Sequence, residues 1–331
     1  MFKRSDILKK GYIEADITPE TDIISEIDKM RREKNAMILA HYYQTGDIQD
    51  IADHVGDSLD LSRKAADSDA DIILFAGVKF MAETAKILSP GSKVLLPDLN
   101  ADCSLSETCP PEEFKKFLKE NPGRTVITYI NSSAEIKALS DIICTSSNAY
   151  KIVKSLPEDE KLIFAPDRNL GNYVKERVDR DMIVWQGACH VHVKFSLDAI
   201  MKLKNKEPDA SIIVHPECEL PVRKAADFIG STGNMLKYIK DDDSKKYIVG
   251  TDPGIIHQMQ KVRPDKIFIP APSQEIPNAC SECDFMKMIT MKKIYLTLKY
   301  EEPELLMNKE LMEKARKPIR RMLDISDRLG I

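Results

Sequence analysis

The sequence of 331 residues lacks the long apolar stretches that mark membrane and secreted proteins. No apolar run approaches the roughly 20 residues that a transmembrane helix needs. The first residues, Met1-Phe-Lys-Arg-Ser-Asp6, do not contain the apolar core of a signal peptide. We therefore expect a cytoplasmic protein that does not engage a membrane.

The sequence also lacks a strong excess of charge of either sign. The formal net charge is −4 and is spread along the chain, so no basic face for nucleic acid is indicated. Hydrophobic residues make up 43% of the chain, which is ordinary for a soluble protein that buries a large core. We expect small-molecule partners and no nucleic acid.

A disulfide framework is not indicated. The chain has seven cysteines, an odd number, and no secretory features. Such cysteines are typically reduced thiols, metal ligands or catalytic groups.

Short apolar runs alternate with amphipathic segments from residue 36 to residue 270. Uninterrupted apolar runs separated by helical stretches are typical of parallel strands covered on both faces, so the sequence predicts an α/β fold. Before this region we expect a helical lead-in with Thr18 as N-cap and Pro19 in the first turn. After residue 284 we expect amphipathic helices packing on the outside. The predicted strands lie at 37–40, 72–75, 94–96, 126–129, 142–144, 162–164, 182–184, 212–214, 228–229, 247–249 and 267–269.

The chain contains an internal repeat. Residues 129–148 align without gaps on residues 215–234, sharing an aspartate, Asp141 or Asp227, and a hydroxyl-bearing turn. A looser copy runs from His41 to Leu74. The phrases can also recur by chance in an α/β protein, but a true repeat predicts three similar modules that face a common centre. The predicted segments are 1–107 for the lead-in and first module, 108–193 for the second, 194–290 for the third and 291–331 for the C-terminal helices.

Three cysteines stand out as metal ligands. Cys189 shares the stretch Trp185–His192 with two imidazoles, and Cys103 and Cys283 occupy comparable loops in the other modules. Structural zinc usually takes four ligands from close-spaced pairs, whereas thiolates also bind copper(I) and iron-sulfur clusters. A 4Fe-4S cluster on three cysteines leaves one iron open to act as a Lewis acid. The ligand count therefore favours catalysis over electron transfer.

The remaining cysteines have plainer interpretations. Cys144 falls in a predicted strand and is expected in the core, while Cys109 and Cys218 are loop thiols with no evident partner. Cys280 forms a Cys-x-x-Cys motif with Cys283 and is able to form a disulfide with it. We choose Cys283 as the ligand because it directly precedes a predicted helix.

Each repeat contains hydroxyl groups where a helix is expected to begin. Individually these residues are expected to be helix N-caps. Together, three helix N-termini directed at one point would bind an anion through backbone N–H groups and hydroxyls. Because these motifs are poor in Arg and Lys, we expect a small carboxylated or phosphorylated substrate. The turns are Asp57-Ser58, Ser146-Ser147 and Ser231-Thr232.

Titratable side chains follow the strands at matching places in the repeats. His215 and Glu217 flank a rigid proline after an apolar run, an arrangement that suits proton transfer. His190 and His192 flank Cys189 and are expected to orient it. The wider set is His41, Tyr43, Tyr129, Asn131, His215 and Glu217.

The ordered motifs of residues 35–290 resemble those of the quinolinate synthase family. They are Ala40-His-Tyr-Tyr-Gln44, Gly56-Asp-Ser58, Tyr129-Ile-Asn131, Cys144-Thr-Ser-Ser-Asn148, Gly187-Ala-Cys-His-Val-His192, His215-Pro-Glu-Cys218, Gly230-Ser-Thr-Gly233 and Cys283-Asp-Phe-Met-Lys287. The resemblance implies three α/β modules around a pseudo-threefold axis and an oxygen-sensitive 4Fe-4S cluster on three cysteines. It further implies the condensation of iminoaspartate with dihydroxyacetone phosphate to quinolinate, the pyridine precursor of NAD, with loss of phosphate and two waters.

The resemblance also assigns individual residues. It implies Cys103, Cys189 and Cys283 as cluster ligands, and Tyr43 matches an active-site tyrosine of the family. We hypothesise that Glu217, aided by Tyr43 and His41, moves protons as the catalytic group. A functional link to the enzyme that supplies iminoaspartate is expected. An acidic insert near residues 241–246 and the extra Cys280 depart from the family pattern. The residues implied around the two substrates are His41, Ser58, Tyr129, Ile130, Asn131, Ser146, His215, Pro216, Glu217 and Thr232.

Two other functional classes stay open on the sequence. A non-catalytic iron-sulfur redox sensor would use the cluster or the Cys280/Cys283 pair to switch an interaction. A zinc hydrolase would contain zinc and be colourless. The sensor would need a surface partner and would not need three anion-binding turns.

Overall fold

A computed structural model describes residues 4–273 and 281–331. The chain forms two compact units, one made of Met1–Cys103 with Asp284–Arg316 and one of Ser104–Cys283 with Lys317–Ile331. The four predicted segments stay a prediction. Within the described ranges, no helix combines the length and the apolarity that crossing a membrane requires.

Three four-stranded sheets carry the fold, and all of their strand pairs are parallel. Their strand orders are β2-β1-β3-β4, β6-β5-β7-β8 and β10-β9-β11-β12, which is the same order three times. This confirms an α/β fold with three similar modules, while their arrangement about an axis stays a prediction. The strands are β1 (Ala36–His41), β2 (His54–Gly56), β3 (Ile72–Ala76), β4 (Lys93–Leu95), β5 (Thr125–Tyr129), β6 (Ile142–Cys144), β7 (Leu162–Ala165), β8 (Met182–Val184), β9 (Ala210–Val214), β10 (Phe228–Ile229), β11 (Lys246–Gly250) and β12 (Ile267–Pro270).

Helices connect the strands and close the chain. The final helix begins in the first unit and ends in the second. The helices are α1 (Arg4–Lys10), α2 (Ile23–Glu33), α3 (Gly46–Ile51), α4 (Ser58–Ala66), α5 (Lys79–Leu88), α6 (Ser104–Glu107), α7 (Pro111–Glu120), α8 (Ala134–Ala138), α9 (Ala149–Ser155), α10 (Arg168–Lys175), α11 (His190–Val193), α12 (Leu197–Lys206), α13 (Leu220–Lys224), α14 (Thr232–Asp241), α15 (Ile255–Val262), α16 (Asp284–Lys287), α17 (Met291–Tyr300) and α18 (Lys309–Arg328).

The strands follow the apolar runs. Every residue of β3, β7 and β9 is buried, as expected of strands covered on both faces. All the predicted runs form strands, and Cys144 lies in the core of β6 as predicted. Within residues 4–273 and 281–331, the short strand β2 alone was missed, because His54–Gly56 has no apolar run to mark it.

The repeat is confirmed by a hydrogen bond that recurs in each module. Asp53, Asp141 and Asp227 directly precede the second strand of their modules. Each carboxylate accepts the backbone N–H of a first-strand residue at 2.8 Å. The aspartate shared by the aligned segments therefore ties the first strand to the start of the second.

A second recurring bond anchors the loop after the first strand. Buried side chains at equivalent positions donate to a loop carbonyl, from Gln49 to Gln44 at 2.8 Å, from Lys137 to Ser132 at 2.5 Å and from Arg223 to Cys218 at 3.1 Å. The donors differ in chemistry, so the sequence alignment does not reveal them. These loops carry most of the predicted site residues.

Two predicted helix caps are wrong. Helix α2 begins at Ile23 and its N-cap is Asp22, whose carboxylate accepts the Ser25 N–H at 3.2 Å. Thr18 and Pro19 form a turn instead, which suits a proline at the second position of a turn. Helix α9 begins after Asn148 rather than after the Ser146-Ser147 pair. The caps of α4 by Asp57 and of α14 by Ser231 are confirmed.

Candidate active site

The predicted site residues His41, Tyr43, Tyr129, His215 and Glu217 lie at or just after the carboxyl ends of the first strands. In each sheet the second strand pairs with one side of the first strand, and the third strand pairs with its other side. Ligands of α/β proteins bind at such a switch point, where the strand order reverses. His41 ends β1, Tyr129 ends β5 and His215 directly follows β9. The predicted placement at strand ends is confirmed.

The unit that contains residues 104–283 holds a buried network around Glu217. The Oε2 atom of Glu217 lies 2.8 Å from His192 Nδ1, and both side chains are only 2% exposed. The side chain of Tyr129 also hydrogen-bonds Glu217. On the far side of the imidazole, His192 Nε2 lies 3.0 Å from Thr251 Oγ1, and the ring stacks on His215 with centroids 4.7 Å apart. The network joins residues of the second and third modules.

The electrostatics of this network favour an ionised Glu217. Burial alone raises the pKa of Glu217, but the His192 and His215 imidazoles and the hydrogen bonds from His192 and Tyr129 lower it to about 2. Burial and the nearby charge of Glu217 raise the pKa of Asp167, which is fully buried. Burial and neighbouring groups therefore shift the pKa values of these two carboxyl groups in opposite directions.

His41 and His215 make the same backbone contact through Nδ1. The backbone N–H of Tyr43 donates to His41 Nδ1 at 3.1 Å, and that of Glu217 donates to His215 Nδ1 at 3.3 Å. In the first unit, the Tyr43 ring also packs edge-on against His41 with centroids 4.5 Å apart. Equivalent backbone contacts thus orient the two imidazoles in the first and third modules.

Cys189 belongs to a set of metal-capable atoms. Its Sγ lies 3.2 Å from His192 Nδ1, so the predicted neighbour of this thiol does contact it. Ligand atoms of Cys189, His192 and Glu217 all lie within 4.8 Å of one another. Sulfur, nitrogen and carboxylate oxygen in this arrangement can hold a metal.

The three predicted cluster cysteines differ from the others in exposure. Cys103, Cys189 and Cys283 are partly exposed, whereas Cys109, Cys144 and Cys218 are buried. Burial raises the pKa of the Cys109 thiol to about 12 and also raises those of Cys144 and Cys218. Metals bind the thiolate, so the partly exposed cysteines fit a soft-metal centre better. Cys280 and its predicted disulfide lie outside the described residues.

Neighbours of these cysteines link their loops. Ser104, which follows Cys103 in the sequence, hydrogen-bonds His190 through its Oγ. Ser281 Oγ donates to the Val191 carbonyl at 2.8 Å, which places the loops of Cys189 and Cys283 side by side. The buried thiol of Cys218, predicted to have no partner, donates to the Gly250 carbonyl at 3.4 Å.

Two of the hydroxyl turns meet within the second unit. Ser147 Oγ lies 3.1 Å from Ser231 Oγ, so the turns that carry Ser146 and Thr232 are adjacent. Among the described residues, buried oxygens without a hydrogen-bond partner include Asn131 Oδ1, Ser132 Oγ and Thr145 Oγ1. Buried polar atoms are normally satisfied, so these oxygens suit a polar ligand.

Sequence reasoning missed the residues that follow the third strands. Thr251, Asp167 and Asp252 received no role, although each contacts a predicted site residue. Their position in the sequence could have revealed the two aspartates, because Asp167 and Asp252 each stand two residues after the third strand of their module.

Comparison with known proteins gives one consistent result. The family model described as "Quinolinate synthetase A protein" matches residues 25–324. The chain is 54% identical over 307 residues to the quinolinate synthase of Chloroherpeton thalassium, covering 93% of this chain and 95% of that protein. It is 55% identical over 307 residues to that of Trichormus variabilis, covering 92% and 94%. It is also 55% identical over 305 residues to that of Synechocystis sp., covering 92% and 96%.

Proposed function

The chain belongs to the quinolinate synthetase A family, and we propose that it condenses iminoaspartate with dihydroxyacetone phosphate to quinolinate. The reaction releases phosphate and two waters, and its product enters NAD biosynthesis. The observation that carries the proposal is the buried Tyr129–Glu217–His192 network beside Cys189 at the carboxyl ends of the strands. A redox sensor needs a cluster but has no use for such a proton-holding network.

The proposed cofactor is a 4Fe-4S cluster held by Cys103, Cys189 and Cys283. Their partly exposed thiols and the linked loops around Cys189 and Cys283 support this set. When bound, the cluster would supply an iron with an open position that acts as a Lewis acid. Reduced thiols persist in the cytoplasm, which is where we place the enzyme.

Glu217 is the proposed acid-base centre. It is ionised at neutral pH, so it can accept a proton released during condensation and ring closure. His192 shares that proton through Nδ1, and Thr251 holds the opposite nitrogen of the ring. Family resemblance adds Tyr43 and His41 to the proton-handling groups.

The substrates are held by hydroxyls and backbone groups more than by cations. Ser146 and Thr232, on the two adjoining turns, are proposed to bind phosphate or carboxylate, as is Ser58. His215, whose ring stacks on His192, is proposed to contact a substrate oxygen. The remaining proposed contacts are Tyr129, Ile130, Asn131, Pro216 and His41.

The proposal is tested by direct product detection. Anaerobically purified protein is given iminoaspartate and dihydroxyacetone phosphate, and quinolinate is measured by liquid chromatography with mass spectrometry. We expect quinolinate from the wild type and none from Cys189→Ser. A protein that contains its full cluster and yields no quinolinate would refute the activity.

Metal analysis distinguishes the proposed iron-sulfur enzyme from a zinc hydrolase. Cys, His and Glu ligands also suit zinc, and a zinc enzyme would be colourless with stoichiometric zinc. The proposed enzyme is brown when purified without oxygen and loses its colour in air.

A further inference from the structure

Two buried aspartates bind the backbone of predicted cluster cysteines. The Cys189 N–H donates to Asp167 Oδ2 at 3.3 Å, and the Cys283 N–H donates to Asp252 Oδ2 at 2.8 Å. The partners are far apart in sequence, and both aspartates are fully buried. These bonds therefore join separate parts of the chain rather than form a local turn.

Asp167 and Asp252 occupy equivalent places in two modules. Asp167 stands two residues after β7, and Asp252 stands two residues after β11. The other oxygen of each group holds the chain that follows, accepting the Leu170 N–H at 2.6 Å and the Gly254 N–H at 2.8 Å. Each carboxyl group thus links the exit of a third strand to a cysteine loop.

Other described cysteines lack this arrangement. The N–H groups of Cys109 and Cys218 donate to the backbone carbonyls of Ser106 and His215. In the first module, Cys103 donates to Asp102, its immediate neighbour, which is a local contact. The long-range carboxyl bonds are those of Cys189 and Cys283, the predicted ligand cysteines of the second and third modules.

We propose that Asp167 and Asp252 are positioning residues that hold the Cys189 and Cys283 loops ready to bind the cluster. This inference rests on the proposed cysteine ligands. An N–H bonded to a buried carboxyl group restricts rotation of the cysteine backbone, which directs the Cα–Cβ bond and the thiol. Partners that orient metal ligands typically contribute about 10- to 100-fold to metal affinity.

The first test uses metal-free protein, so it does not depend on the cluster. Protein labelled with ¹⁵N-cysteine gives few amide signals, which are assigned with Cys→Ser variants. In Asp167→Ala, the Cys189 amide should exchange with solvent about tenfold faster, since its hydrogen bond is lost. Asp252→Ala should do the same to Cys283. Unchanged exchange at both amides would overturn the proposal.

Matched controls come from the aspartates that tie the strands. Asp141→Ala and Asp227→Ala also remove a carboxylate that accepts a backbone N–H in the same two modules. These variants control for general loss of stability and should leave the Cys189 and Cys283 amides protected. Comparable acceleration in the controls would contradict a specific positioning role.

The second test measures the cluster itself. Reconstituted proteins are challenged with an iron chelator, and iron and sulfide are followed per folded chain. We expect iron and sulfide to be lost from Asp167→Ala and Asp252→Ala about 10- to 100-fold faster than from the wild type and the controls. The Asn variants of the same two residues keep one acceptor oxygen, so their rate of cluster loss should lie between those of the wild type and the Ala variants. They also provide the measurement if an Ala variant does not fold.

The outcomes separate this inference from the proposed function. The positioning role alone would be overturned if the wild type binds a cluster and the Asp variants resist the chelator as well as the wild type does. A wild type that binds no cluster after reconstitution would overturn the proposed cofactor and the positioning role with it.

Discussion

At the scale of single residues, Glu217 combines complete burial with ionisation. A buried carboxylate is costly unless it is paired, and here two imidazoles and the Tyr129 hydrogen bond compensate the charge. His192 is itself oriented by Thr251, so the proton donor and acceptor atoms have fixed positions. The hydrogen bonds around Glu217 therefore fix the position of its carboxylate.

Glu217→Gln should abolish catalysis without removing the metal centre. The amide cannot accept a proton, so we expect kcat to fall by about 10²- to 10⁴-fold. Iron and sulfide content should match the wild type. Steady-state quinolinate formation measures the effect, and Glu219→Gln, a partly exposed glutamate two residues away, is the control that should keep full activity. Near-normal turnover in Glu217→Gln would remove this residue from the mechanism.

At the scale of elements, the loop before Cys189 depends on Gly187. Its carbonyl accepts the Arg168 N–H at 2.8 Å, and a Cβ at this position would lie 2.6 Å from the Pro166 carbonyl oxygen. A backbone oxygen cannot move aside as a flexible side chain can. The cysteine loop and the start of α10 are therefore packed against each other without room for a side chain.

Gly187→Ala should lower both stability and iron content. We expect the free energy of unfolding to fall by about 1–3 kcal/mol from overpacking, and the displaced loop to retain less iron. Urea unfolding and iron analysis measure the two effects. Gly91→Ala is the matched control, because a Cβ there would meet nothing within 4 Å. Equal behaviour of the two variants would show that the close approach has no consequence.

Glu301, at the end of α17, makes a pH-dependent contribution to the stability of the fold. Glu301 has a positive φ of 55° and bonds Lys34 at 2.7 Å and Lys93 at 2.6 Å. Hydrogen bonds from these two lysines lower the pKa of Glu301 from 4.5 to about 2. Because the folded-state pKa is depressed, the stabilisation is complete above about pH 4.5 and is lost as the pH falls toward 2.

Glu301→Gln should destabilise the protein in a way that depends on pH. About a third of the side chain is exposed, so screening limits the effect to about 1 kcal/mol at neutral pH. The difference from wild type should shrink as the pH is lowered below 4.5. Urea unfolding across this range measures it. A difference that stays constant with pH would argue that the lysine bonds do not stabilise the fold.

The apolar runs predicted the strands because a strand that is covered on both faces is apolar throughout. β3 and β9 are buried throughout and were evident, whereas β2 has no apolar run and was not. The cap of α2 was placed at Thr18 because Thr-Pro is a common start, but the Asp22 carboxylate is the actual acceptor. Local competition between two plausible caps cannot be resolved without the tertiary structure.

At the scale of the whole molecule, one strand order occurs in three sheets, and the repeat in the sequence predicted it. The aligned Asp141 and Asp227 proved to make the same bond. Contacts between modules were not predictable, since the repeat pattern describes each module alone. The His192–Glu217 pair and the Ser147–Ser231 pair both join residues of different modules.

The most direct test of the central claim is iron and acid-labile sulfide analysis of anaerobically purified protein, compared with its Cys→Ser variants. The account predicts about four irons and four sulfides per chain in the wild type and in Cys109→Ser. It predicts loss of the cluster in Cys103→Ser, Cys189→Ser and Cys283→Ser. Stoichiometric zinc in the wild type, or a full cluster in any of these three variants, would contradict it.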